Sequence, residues 1–205
     1  MILKFGNSSI DVETQFDNKY STIATRQCSW FTFEAMKRRK ELLDAFNDTE
    51  KYISIYSQCL AEATLNKLNS NCRKDIETLF HENILSKYEI KCQFYKMEYN
   101  LDGYDYYKNL NYPNTEDVIK TKKSFPLLSE KDLISKLDQL QKYDFMMTNR
   151  LIMSYIVIKI DNDNYLLVDS HVPKSTILSI KEVIDYIKYN ETTKYNLVTL
   201  VFEQK

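Results

Sequence analysis

The sequence predicts an α+β protein, with N-terminal helices packed on a small, mostly antiparallel sheet. Three observations predict it. Up to about residue 86, apolar residues recur at helical spacing in three successive segments. From about residue 151 the pattern changes to short β-branched and aromatic runs divided by polar turns. No internal repeat or low-complexity linker interrupts the 205 residues, so 1–205 reads as one domain with a tyrosine-rich insertion near 92–126.

Residues 1–27 have weak periodicity and read as an irregular arm, with a short strand at 1–5. "CSWFTFEAMKRRKELLDAF" (28–46) reads as a helix, with Trp30, Phe33, Met36 or Lys37, and Leu43 about 3.6 residues apart. Asn47, Asp48 and Thr49 end it, and Asp48 or Thr49 caps the next helix, 50–68, whose stripe is Ile53, Tyr56, Leu60, Ala63 and Leu68. A third helix is predicted over 73–86 from Ile76, Leu79, Phe80 and Ile84. Asp102-Gly103 is a hairpin-type turn signal within the tyrosine-rich stretch. Ser129 and Asp132 stand at capping-box spacing before another helical pattern, with Asp in place of the usual Glu. "LIMSYIVIKI" and "YLLVDSH" flank "DNDN" and predict an antiparallel hairpin. A short helix opened by a Ser179–Glu182 capping box follows, and "YNLVTLVF" closes the chain as a strand.

Composition excludes several classes of function. Hydrophobic residues at 43% and charged residues at 28% describe a globular chain, not a disordered one. Lys and Arg number 28 against 29 Asp and Glu, a net charge of −1, so no broad phosphate-binding face and no nucleic-acid partner is expected. No apolar run is long enough to span a membrane, and the first residues lack the basic and apolar regions of a secretory signal. A cytoplasmic, monomeric protein with reduced thiols is therefore expected. Cys28, Cys59, Cys72 and Cys92 form no C-x-x-C pair, and His81 and His171 are the two histidines. Neither a metal nor another cofactor is expected from such a set.

The residues that can carry chemistry begin with Cys28. Placed at the first turn of a helix, a thiol faces free N–H groups and the positive end of the dipole, which favour thiolate. The alternative is a small buried hydrophobe, which is how Cys59 and Cys72 read. In "YLLVDSHVP" (165–173), Asp169 and His171 are two apart, so on a strand they share one face about 7 Å apart, with Ser170 turned away. A thiol nucleophile needs a base, and an imidazole needs a partner at its far nitrogen. The competing reading is a strand end, with Asp169 or Ser170 making a turn hydrogen bond before Pro173. His81, beside Glu82 in a helical segment, is a weaker candidate base. The backbone N–H of Cys28 and the side-chain amide of Gln15 or Gln27 are candidate oxyanion donors.

A Cys opening the first long helix, a Gln about a dozen residues before it, and a compact "Asp169-Ser170-His171" after the hairpin "YIVIKIDNDNYLLVDSH" resemble the herpesvirus tegument deubiquitinases and related tegument-like enzymes. The resemblance covers 15–46 and 151–172. It implies a papain-like fold and a cysteine isopeptidase cleaving after the C-terminal glycine of ubiquitin or a ubiquitin-like protein. It also implies Cys28 as nucleophile, His171 as base, Asp169 as orienter and Gln15, by its distance upstream, as oxyanion donor. If the chain comes from a virus or an intracellular bacterium, the host cytosol is implied as its location. Trp30 then becomes a candidate wall for the channel that takes the glycine tail, although core packing accounts for it equally well. A papain-like acyltransferase or transglutaminase would use the same residues. A non-catalytic interaction module would instead use the tyrosines of 94–112 as a binding surface.

Overall fold

The computed structural model describes residues 8–17, 27–69, 90–98, 120, 123–150, 153–189 and 197–204. Its core is one seven-stranded sheet whose paired strands are all antiparallel. The strands are β1 (Ser9–Asp11), β2 (Lys91–Glu98), β3 (Phe145–Arg150), β4 (Met153–Lys159), β5 (Asn164–Val168), β6 (Lys174–Ser179) and β7 (Leu197–Gln204). Their order across the sheet is β1-β6-β5-β4-β3-β7-β2. The helices are α1 (Cys28–Lys37), α2 (Arg39–Ala45), α3 (Thr49–Asn69), α4 (Glu130–Gln139) and α5 (Ile180–Tyr189). Helices thus lead and strands dominate the second half, as the α+β prediction has it.

The sheet is wider than expected because helices cover both of its faces. Successive side chains of a strand point to opposite sides. Ile156 and Ile158 of β4 join Phe145, Met147, Leu166, Val168 and Val201 under α1–α3. Tyr155 and Val157 join Met146, Tyr165, Leu167, Leu200 and Phe202 beneath α4 and α5. With both faces dry, β4 and β5 read as unbroken apolar runs instead of alternating ones.

Local chemistry accounts for the helix boundaries. Asp48 Oδ1 accepts the Lys51 N–H (3.1 Å), so Asp48 is the cap that starts α3. Ser129 Oγ accepts the Asp132 N–H (3.1 Å) at the head of α4. Ser179 and Glu182 complete a reciprocal box at the head of α5, with Ser179 N–H on Glu182 Oε2 (2.8 Å) and Glu182 N–H on Ser179 Oγ (3.3 Å). The continuous helix expected over 28–46 is instead two helices meeting at Arg38. Arg39 Nη1 donates to the Met36 carbonyl (3.1 Å), and a side chain entering the backbone ladder is a recognised cause of a kink. The same guanidinium reaches the Tyr143 carbonyl (3.0 Å) and Glu203 Oε1 (2.8 Å), tying the joint to the sheet.

One other expectation is corrected. The buried stripe of α3 is Tyr52, Ile55, Tyr56, Cys59, Leu60 and Ala63, whereas Ile53 and Leu68 face outward. Residues 91–98, within the tyrosine-rich stretch, form the edge strand β2 paired along its length with β7. The strand expected at 1–5, the helix expected over 73–86, Cys72, His81 and Asp102-Gly103 lie outside the described residues. Among the described residues, no helix is long and apolar enough to cross a membrane.

Candidate active site

Cys28 is the first residue of α1. Gln27 precedes it, and the Phe31 N–H closes the first turn on the Gln27 carbonyl (2.9 Å). Residues Phe31 to Met36 of α1 are all buried, so the helix that presents the thiol is fixed inside the core. Cys28 itself is only 3% exposed.

β5 ends at Val168, and Asp169 to Pro173 turn the chain into β6. The relation expected along a strand is therefore made in a turn. Asp169 Oδ1 accepts the backbone N–H of His171 (2.9 Å) and also meets His171 Nδ1 (2.7 Å). One carboxylate oxygen thus both shapes the turn and holds the imidazole. Such a contact at Nδ1 selects the Nδ1–H tautomer of a neutral ring and leaves Nε2 as the nitrogen open to a further partner. The Cys28 thiol hydrogen-bonds the imidazole. Asp169 is completely buried, and its second oxygen, Oδ2, accepts the Tyr186 O–H (2.8 Å).

Burial opposes the imidazolium here, but the Asp169 charge and hydrogen bond, together with Cys28, overcome that and raise the His171 pKa from 6.5 to about 10. The imidazole beside Cys28 therefore favours its protonated form near neutral pH. The other described cysteines lack such a partner. Burial pushes the Cys59 and Cys92 thiols up to about 12.

The N-terminal arm brings Gln15 to the same turn. β1 pairs with β6, and beyond it the Val12 N–H donates to the Pro173 carbonyl (3.1 Å) and the Gln15 N–H to the Ser170 carbonyl (2.9 Å). A tight turn follows, with the Asp17 N–H on the Thr14 carbonyl (3.2 Å) and the Thr14 N–H on the Asp17 carboxylate. Gln15 and Phe16 occupy its corner. Ser170, pointing away from the Asp169–His171 pair, donates its hydroxyl to Gln15 Oε1 (3.0 Å). That contact orients the amide and leaves Nε2 uncommitted among the described hydrogen bonds. Phe16 lies against the imidazole, with ring centroids 5.7 Å apart.

Gln27 goes elsewhere. Its Nε2 donates to the Leu60 carbonyl (3.1 Å) and Thr64 Oγ1 (2.7 Å), fastening the start of α1 to α3. Trp30 is partly buried against the core beneath α1–α3. Tyr186, Tyr56 and Phe16 were not legible as site residues, since nothing in the sequence separates a tyrosine on a buried helix stripe from an ordinary core tyrosine. Among the described residues no cluster of His, Cys, Asp and Glu could hold a metal ion.

A thiol, an imidazole and a carboxylate in series, beside an oriented amide, can pass a proton and support nucleophilic attack by sulfur. The fold is similar to that of the ubiquitin-specific protease encoded by a murine cytomegalovirus tegument protein, solved with a ubiquitin-based suicide substrate. The TM-score is 0.52, over 97% of this chain and 87% of that one, at 8% sequence identity. That likeness is one of fold. No protein-family model matches the sequence, and no curated protein does.

Proposed function

We propose that this chain is a papain-like deubiquitinating cysteine protease, hydrolysing the isopeptide bond after the C-terminal glycine of ubiquitin or a ubiquitin-like protein. The observation that carries the reading is the series from the Cys28 thiol through His171 to Asp169. Likeness in fold to a viral ubiquitin-specific protease supports the choice of substrate.

In this mechanism the Cys28 sulfur attacks the glycyl carbonyl, forming a C–S bond and an oxyanion. The Cys28 backbone N–H, at a helix start, and Gln15 Nε2 receive that oxyanion. As the C–N bond breaks, imidazolium His171 gives its Nε2 proton to the departing lysine amine. Water then attacks the thioester while His171 takes a proton from it. The glycine carboxylate leaves, and the proton returns the Cys28–His171 pair to its starting state. Asp169 keeps Nδ1 in place throughout.

Ubiquitin bearing a C-terminal alkyne or vinyl electrophile tests the reading. One ubiquitin is expected to attach at Cys28, with attachment lost in Cys28→Ala. Labelling that survives Cys28→Ala, or none from ubiquitin and its relatives, overturns it. A Cys28 that is reactive toward iodoacetamide yet refuses every such probe would point instead to another acyl transfer by the same residues.

A further inference from the structure

We propose that Tyr186 is a positioning residue of this site, its hydroxyl fixing the Asp169 carboxylate so that the opposite oxygen stays on His171. The inference rests on the reading of Cys28, His171 and Asp169 as a working series.

A completely buried carboxylate needs donors on both oxygens, because each unaddressed oxygen carries a desolvation cost. On Asp169 the burden is divided. Oδ1 takes two donors from its own turn, the His171 N–H and Nδ1. Oδ2 takes the Tyr186 O–H from α5 at 2.8 Å. The terminal torsion of an aspartate is broad and two-fold, so the carboxylate does not choose its own orientation. A donor from a separate rigid element makes that choice.

Tyr186 is itself well held. It lies about two turns beyond the Ser179–Glu182 box that pins the start of α5. Its ring meets Tyr155 of β4 edge-on, with centroids 5.0 Å apart and planes at 84°. The ring is 7% exposed within the layer beneath α4 and α5. The thiol, by contrast, comes from α1 on the other side of the sheet. The contact therefore couples the helix layer that does not carry Cys28 to the base that serves it.

The titratable groups facing Asp169 are His171 in its own turn, Tyr186 from α5, Tyr56 from α3 (whose O–H reaches the Asp169 carbonyl at 3.4 Å), and Cys28 of α1 through His171. Removing the Tyr186 hydroxyl takes away a donor to the ionised carboxylate. It thereby frees the carboxylate to turn about its terminal torsion and loosens its hold on the imidazole beside the thiol.

Alkylation of Cys28 by iodoacetamide, followed on its own peptide by mass spectrometry across pH, reads this without a ubiquitin substrate. In Tyr186→Phe the rate near neutrality is expected to fall about tenfold, as for loss of a hydrogen bond to a charged group, and the acid limb to move to higher pH. The same substitution added to Asp169→Asn should cost little more, because it acts through that carboxylate. An unchanged limb in folded Tyr186→Phe, or an equal loss in the Asp169→Asn background, overturns the proposal. If Tyr186→Phe does not fold, site-specific 3-fluorotyrosine at 186 keeps the shape with a stronger donor. The limb should then move to lower pH, and no movement overturns the proposal. Failure of wild-type protein to accept a ubiquitin electrophile overturns the functional reading alone, since the alkylation profile still decides Tyr186.

Discussion

Phe16 rests on His171 with its ring tilted 52° to the imidazole, and yet it remains 53% exposed. An exposed phenylalanine contributes little to folding, but this one covers the imidazole that the proposed mechanism uses as its base. Phe16→Ala is expected to leave the thermal midpoint within about 2 °C, as surface changes do, and to lower turnover of a ubiquitin-linked fluorophore severalfold. Parallel melting and kinetic measurements check it. A drop in stability as large as the drop in rate would return Phe16 to an ordinary packing role.

The two glutamines should separate cleanly. Gln15→Ala is expected to lower kcat by about a hundredfold or more, the usual scale for losing an oxyanion donor. It should also cost about 1–3 kcal/mol of stability, because the buried Ser170 hydroxyl is left without its acceptor. Gln27→Ala removes the buried amide that joins α1 to Leu60 and Thr64, so it should lower stability by about 1–3 kcal/mol. Its rate per folded molecule should stay close to wild type. Urea melts and active-site titration of both variants make the comparison.

Asp169→Asn should harm both activity and folding, but unequally. Three donors converge on the Asp169 side chain, and an amide NH₂ would have to face at least one of them. A stability loss of about 1–3 kcal/mol is expected from that mismatch. The labelling rate should fall by about a thousandfold or more, since the imidazole loses its orienting charge. A rate loss explained wholly by the unfolded fraction would remove Asp169 from the mechanism.

His171 should also make stability depend on pH. Its pKa is about 10 in the folded chain against 6.5 without the fold. The folded state therefore binds the extra proton between those values, and the stabilisation is complete below 6.5 and lost as pH rises through 10. Urea midpoints should fall along that window in wild type and fall less in His171→Gln. The difference between the two isolates His171 from buried tyrosines such as Tyr52 and Tyr56, which resist ionisation at the same alkaline end. Identical slopes would argue that the imidazole is not held as a cation.

Much of this arrangement was legible because it is short in range. Asp169 and His171 are two residues apart, Ser179 and Glu182 three apart, and Cys28 follows a polar run into a helical pattern. The strands β3 and β6 were not legible, for physical reasons. "FMMTNR" carries methionines, a buried Asn149 and an arginine where β-branched residues would signal a strand. "KSTILS" buries Ser175 and Thr176. Both borrow their stability from neighbours already paired, which leaves little local signature. The break at Arg38 depends on Glu203 and Tyr143, more than a hundred residues away. Gln15 and Gln27 differ only in what the fold brings beside them, so spacing left both open. Tyr186 was hidden for the same reason, as its task lies across the sheet.

The turn after β5 gathers several duties into one tripeptide. Asp169 holds His171, His171 meets Cys28, and Ser170 between them donates to Gln15. A shift of this turn relative to α1 would displace all of them together. Cys28 would then keep its place on α1 while the imidazole, the carboxylate that holds it and the hydroxyl on Gln15 all departed at once. A chain with this turn displaced would thus lose the whole arrangement in one step instead of keeping part of it.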